Sequence, residues 1–357
     1  MKRLLSLDAF RGITIASMIL VNDPGSWDAA YPQLRHSRWN GITFTDLVFP
    51  FFLFIAGVAL TFSLARRMEG GAQRGALLLH SARRAGLIFF LGLVLNALPF
   101  SDLAHLRIPG VLQRIAICYF VAALIFLHSG IRGTVLWTAA LLTVYWLLMT
   151  LVPVPGFGPG VLTKEGNFAR YIDGMVLTGH MYRSTRMWDP EGIVSTLPAI
   201  GNALFGVLAG HWLRTEKAPA EKAAWLFTSG GLLCVAGAIL KIWMPVNKSL
   251  WTTPYSMLTS GLAMLLLAGF YWIIDGQGWD RWARPLIIFG RNALTMYVLS
   301  ELMAMCLALF GWQDPIYGAF ASIAPPKIAS LLFALSFVAV CYGVAWVMYR
   351  RNLLLRF

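Results

Sequence analysis

Ten runs of about twenty mostly apolar residues recur along the chain, and nothing else in it restricts the fold as strongly. A helix rises 1.5 Å per residue, so about 20 residues cross a hydrocarbon core about 30 Å thick. The runs predict spans over 4–22, 46–64, 84–100, 109–128, 134–152, 193–213, 223–243, 254–274, 285–311 and 328–349. They are too long and too uniformly apolar for the ~10-residue alternating strands of an outer-membrane barrel. The expectation is an all-α integral membrane protein, a bundle of about ten transmembrane helices forming one domain over 1–357.

Charge supports that reading and removes its main rival. Only 13% of the residues are charged and 58% are hydrophobic, against about 25% charged in a soluble domain. The net charge of +13 invites a nucleic-acid partner, but the arginines and lysines sit between the apolar runs, as membrane topology places them. An even number of spans puts both termini on one side, and the basic bias, with Arg66, Arg67, Arg83, Arg84, Arg350 and Arg351 on that side, makes it the cytoplasm. The start, "MKRLLSLDAFRGITIASMILVN", is read as a retained helix, because Asp8 and Arg11 interrupt it and no small-residue cleavage site follows. Cys118, Cys234, Cys306 and Cys341 all lie within apolar runs, without metal-ligand spacing, and read as core residues. No metal site is expected. The longest non-apolar stretch, 153–192, then faces outward as a lid, an acceptor platform or a passive connector.

Polar groups at membrane depth carry the functional signal, since an unpaired one costs several kcal/mol. Asp8 and Arg11, at i and i+3, share a helix face and either neutralise each other or leave Arg11 for a phosphate. Asn22 closes the first span, His36 and Asn40 follow in the connection, and Asp46 opens the second. From Asp46 to Leu64 one helix spans about 28 Å at 1.5 Å per residue, so these four residues share one depth near the outer surface. A histidine removes a proton near neutral pH, an aspartate fixes its tautomer, and an asparagine amide donates to a developing oxyanion. The structural alternative is an interfacial His36 and an Asp46 that caps its helix. Further polar groups stand in "LRIPGVLQRIA" (Arg107, Arg114), "PVNKSLWTTPYS" (Lys248) and "GRNALTMYVLSEL" (Asn292, Tyr297, Glu301), where helix–helix hydrogen bonding competes with chemistry.

The blocks "SLDAFRGITIASMILVN", "HSRWNGITFTDLVFPFFLFIAG", "LRIPGVLQRIA", "DPEGI", "PVNKSLWT" and "GRNALTMYVLSE" together resemble the transmembrane acyltransferases related to heparan-α-glucosaminide N-acetyltransferase, in the family's order from Ser6 to Glu301. The resemblance implies transfer of acetyl from cytosolic acetyl-CoA to an amino sugar across the membrane, and a homodimer. It maps the catalytic histidine onto His36, the asparagine ending the first helix onto Asn22, and the aspartate of "DLVFP" onto Asp46. With Arg11, it makes Asn40, Arg107, Arg114, Lys248 and Asn292 candidates for holding acetyl-CoA. The sequence shows neither the luminal region that lysosomal members carry before the first helix nor their glycine-rich run between Asn22 and His36. A bacterial inner-membrane version acting on a free, cell-wall or chitin glucosamine unit is therefore expected. The alternatives are an amino-sugar transporter without acyl chemistry and an O-acetyltransferase of envelope glycan.

Overall fold

The computed structural model describes residues 4–98 and 102–354. Among these residues thirteen α-helices follow one another: α1 Leu5–Asn22, α2 Thr45–Glu69, α3 Arg74–Ala97, α4 Val111–His128, α5 Ile131–Leu151, α6 Phe168–Val176 and α7 Thr196–Leu213, then α8 Pro219–Leu240, α9 Thr253–Phe270, α10 Arg284–Arg291, α11 Ala293–Leu309, α12 Gln313–Ala321 and α13 Pro326–Arg350. A π-helical turn over 271–276 extends α9. Each expected span contains a helix, and there is no β-strand among the described residues. Among the described residues, eight helices are long and apolar enough to cross a membrane, or nine if the bent pair counts as one span. The expected span 193–213 falls short of that measure: α7 carries Pro198, Asn202 and His211, and most of its residues are buried.

Two expectations are corrected. The span 285–311 is not continuous: the segments on either side of Asn292 are bent by 68°. Asparagine and the nearby Gly290 are weak helix formers, and Asn292 donates its side-chain N–H to the Leu353 carbonyl (3.1 Å). The cysteines are also not uniformly core residues. All four are free thiols; Cys118 and Cys341 are buried, whereas Cys306 is exposed on α11.

The chain divides into two compact units. One comprises Met1–Ser37, Ile42–Phe52 and Leu266–Phe357; the other comprises Arg38–Gly41 and Leu53–Leu265. In the first, α1 crosses α10 at two glycines: a methyl group on Gly12 would meet the Leu286 carbonyl oxygen at 1.8 Å, and one on Gly290 would meet that of Asp8 at 2.0 Å. The N–H groups of Leu5 and Ser6, orphaned at the start of α1, donate to the Asp275 carboxylate at 3.2 and 3.0 Å. Ile15, Ile19, Val48, Phe289, Met296 and Phe337 form its apolar core.

In the second unit, α2 and α7 make the corresponding backbone approach. A methyl on Gly57 would lie 1.9 Å from the Ala203 oxygen, and one on Gly206 2.0 Å from the Phe54 oxygen. Gly206 and Gly210 form a G-x-x-x-G stripe. Lipid tails are as apolar as leucine, so helices in a membrane associate through such close packing rather than through burial from water.

Candidate active site

The site begins at the start of α2. Asp46 lies in the first turn of that helix, where the free N–H groups favour a negative side chain. Its side chain is fully buried. One carboxylate oxygen is 2.7 Å from His36 Nδ1; the other accepts from the backbone N–H groups of Ser37 (3.2 Å) and Thr43 (3.0 Å) and lies 3.0 Å from the Thr43 hydroxyl. With Asp46 ionised, the carboxylate could only accept, which would put the His36 proton on Nδ1 and leave the lone pair on Nε2. The His36 side chain is 48% exposed. The dyad thus has a buried, clamped anion behind an accessible imidazole, which is the order a general base requires. Asn22, the last residue of α1, is exposed.

The Trp-Asn-Gly turn that follows His36 in the chain belongs to the other unit. Trp39 donates its indole N–H to the Leu162 carbonyl (3.0 Å) and meets Trp188 edge-on at 5.4 Å. Asn40 Oδ1 accepts from Asn247 (3.1 Å), and Gly41 N–H donates to the Val246 carbonyl (2.8 Å). The "PVNKSLW" turn is itself firmly held. Tyr145 OH donates to the Leu250 carbonyl (2.7 Å), and the fully buried Trp251 donates to Asn202 Oδ1 (2.8 Å). Asn202 donates in turn to the Ser256 carbonyl and to the Thr259 and Ser260 hydroxyls. Lys248 is half-buried within this turn.

Arg107 and Arg114 meet the segment 189–195. Arg107 makes a two-pronged pair with Asp189 (2.9 and 2.7 Å) and also reaches Glu191. Burial alone would lower the basicity of Arg107; the hydrogen bond to Asp189 and the charge of Glu191 outweigh it and hold it above the ordinary value. Arg114 is 1% exposed. It donates through Nη2 to the Gly192 carbonyl (3.1 Å) and to the Ser195 hydroxyl, and its guanidinium lies 5.0 Å over the Trp251 ring. Its Nε and Nη1 have no hydrogen-bond partner among the described residues. Asp173 accepts from Ile193 N–H (3.0 Å) and Asp189 N–H (3.3 Å), and burial pushes its carboxyl up to about 6.

Arg11 pairs with Asp8 at 3.3 Å on α1, and Asn292 marks the helix break. Asp189, Glu191, Asp173 and Asn202 were not singled out from the sequence. The acids of "DPEG" were the available signal, opposite an arginine 82 residues away. Among the described residues, no group of three or more His, Cys, Asp or Glu could hold a metal ion.

Helix length and composition thus define a multi-pass membrane protein, with an accessible His–Asp dyad at a helix start. The family described as heparan-alpha-glucosaminide N-acetyltransferase, catalytic, matches residues 3–245, and one described as protein of unknown function (DUF418) matches 208–352. The heparan-alpha-glucosaminide N-acetyltransferase of Homo sapiens is 32% identical over 84% of this chain and 53% of its own length. That of Mus musculus is 31% identical over 84% and 54%. The chain spans about half the length of these curated relatives. It belongs to the heparan-alpha-glucosaminide N-acetyltransferase family.

Proposed function

We propose that the chain is an acetyltransferase that carries acetyl from cytoplasmic acetyl-CoA to the amine of a glucosamine unit at the outer face of a bacterial inner membrane. It would act as a single transmembrane domain with both termini inside, and as a homodimer. The observation that carries this reading is the 2.7 Å contact between His36 Nδ1 and Asp46 Oδ1, with the imidazole exposed and the carboxylate buried. Membership of the family supports it.

In this reading the amine nitrogen attacks the thioester carbonyl carbon while His36 Nε2 accepts the ammonium proton. Asp46 steadies the imidazolium that results. The Asn22 amide donates to the oxyanion. When the carbon–sulfur bond breaks, the proton on His36 passes to the departing thiolate, and the amide product leaves. General-base assistance contributes about 10²–10⁴-fold, and holding the two reactants together about 7–11 kcal/mol. Of the residues assigned to the co-substrate, Arg107, Arg11, Asn40 and Asn292 have internal partners and Lys248 sits half-buried in its turn. Arg114 keeps two N–H groups for an oxygen of the ligand.

The test uses purified protein in detergent with acetyl-CoA and glucosamine. Free CoA and N-acetylglucosamine in equal amounts support the proposal. Uptake of glucosamine into liposomes without acetylation would make the protein a carrier, and an ester product an O-acetyltransferase. Label retained on the protein after acetyl-CoA alone, and lost in His36→Ala, would move His36 from base to transient acetyl carrier.

A further inference from the structure

A second cluster of titratable groups lies in the unit formed by 38–41 and 53–265, at a groove of about 540 Å³ lined by Asp102, His105, Gly179, Met181, Arg183 and Arg186. Two chain segments build it, and several bonds join them. Ile108 N–H donates to the His180 carbonyl (3.0 Å), and His180 Nδ1 lies 2.8 Å from the Leu106 carbonyl. Arg183 donates to Asp102 (3.0 Å). Behind the groove the Arg107 guanidinium covers the Tyr182 ring at 4.6 Å, and Tyr182 N–H is held by Asp189 (2.9 Å). The walls are therefore set before any ligand arrives, which lowers the ordering cost of binding.

The charges in the groove do not balance. Among the described residues Asp102 is its one carboxylate, and both of its oxygens are engaged: Oδ1 faces His105 Nδ1 (3.0 Å) and accepts His105 N–H (3.3 Å), while Oδ2 accepts from Arg183. The hydrogen bond from His105 holds the Asp102 carboxyl below its ordinary range, with Arg183 adding to the effect, so this anion is already committed. Arg186 has no acidic partner among the described residues. It is also one of three non-glycine residues with positive φ (53°) among the described residues, a conformation fixed here by its N–H bond to the Tyr182 carbonyl (2.9 Å). Such backbone strain concentrates at ligand sites. His105 Nε2 points away from the bond that Nδ1 makes.

We propose that this groove is a binding site for a compact oxyanion, a phosphate ester or carboxylate group, held between Arg183, Arg186 and His105. Guanidinium groups recognise such anions through paired, charge-assisted hydrogen bonds. The anion is either free in solution or an acidic substituent of the amino-sugar acceptor. Only the second source rests on the proposed acetyl transfer.

Titration calorimetry of the full-length protein in detergent, with inorganic phosphate and with glucosamine 6-phosphate at fixed ionic strength, tests the site. Saturable binding is expected. It should weaken about 10-fold or more in Arg186→Asn, where asparagine tolerates the left-handed backbone, and further in Arg183→Gln/Arg186→Asn. Each variant is first checked for a single peak on size exclusion. No saturable binding of either probe, or unchanged binding in the folded double variant, overturns the proposal. The source is read from the ratio of kcat/KM for glucosamine 6-phosphate over glucosamine. A ratio well above one that falls to about one in the double variant assigns the anion to the acceptor, whereas a ratio near one with phosphate binding intact assigns a free oxyanion. Phosphate binding with no acetylation of either sugar leaves the site standing and removes the acyltransfer reading.

Discussion

His36 Nδ1 stands 2.7 Å from an oxygen of Asp46, ten residues further along the chain and within the first turn of α2. A buried carboxylate behind the ring orients it and, when ionised, would place the lone pair on Nε2. Asp46→Asn offers an amide of the same shape, which takes away the charge and allows the other tautomer. Acetylation of glucosamine by this variant should fall by about 10²–10⁴-fold in kcat, with the folded protein intact by size exclusion. A decrease of less than 3-fold would mean that Asp46 only anchors the start of the helix.

Arg107 holds Asp189, whose side chain is fully buried, and removing it leaves that carboxylate without its cation. Arg107→Ala should lower stability by about 3–5 kcal/mol, the usual cost of breaking a buried pair from one side. Arg107→Lys should recover part of this, because it restores charge without the two-pronged geometry. Thermal unfolding in detergent orders the three proteins.

The contact between α2 and α7 leaves no room for a side chain at Gly57, where a methyl would lie 1.9 Å from the Ala203 oxygen. Gly57→Ala should therefore separate two backbones and yield little monodisperse protein. Gly231→Ala is the matched control in α8: open space surrounds that position, and alanine favours a helix by about 1 kcal/mol over glycine. Fluorescence-detected size exclusion distinguishes the two outcomes.

Asp23 follows α1 directly, and burial together with the nearby Glu301 carboxylate raises its carboxyl from 3.8 to about 8. The neutral form is thus favoured in the folded protein. The stability this gives is complete at pH below about 4, where the unfolded chain is also protonated, and is lost as pH rises through about 8. Asp23→Asn should match the parent at pH 4 and melt several degrees higher at pH 8.5. Equal melting at both pH values would mean that Asp23 ionises freely.

How much of this could be read in advance depended on how local each signal was. A membrane span needs only an unbroken apolar run, so α1, α2, α4, α5, α8 and α13 were visible in the sequence to within a few residues. His36 and Asp46 could be placed at one depth because a helix length separates Asp46 from the far surface. Their direct bond could not be read, since it depends on the turn at Thr43. Arg107 and Arg114 stand out in the sequence, but their partners lie about 80 residues away in 189–195, and no periodicity connects the two segments. Asn202 is not legible because a single amide in an apolar run resembles ordinary interhelical bonding; its bonds to Trp251, Ser256, Thr259 and Ser260 emerge only when α7 and α9 pack. The bend at Asn292 and the nine-residue α6 and α12 were also hidden, because a short helix in a connection has no full period of apolar positions to announce it.

Asp275 caps the first turn of α1 from about 270 residues downstream. During synthesis α1 leaves the ribosome before both the carboxylate that completes its start and the α10 backbone that fits its glycines. The intervening 53–265 can assemble while α1 waits with open amides and an uncovered groove. The later arrival of one acid thus makes α1 a latch that shuts only once Asp275 has been translated, and nascent chains cut short before 275 should display α1 to proteases that the folded protein resists.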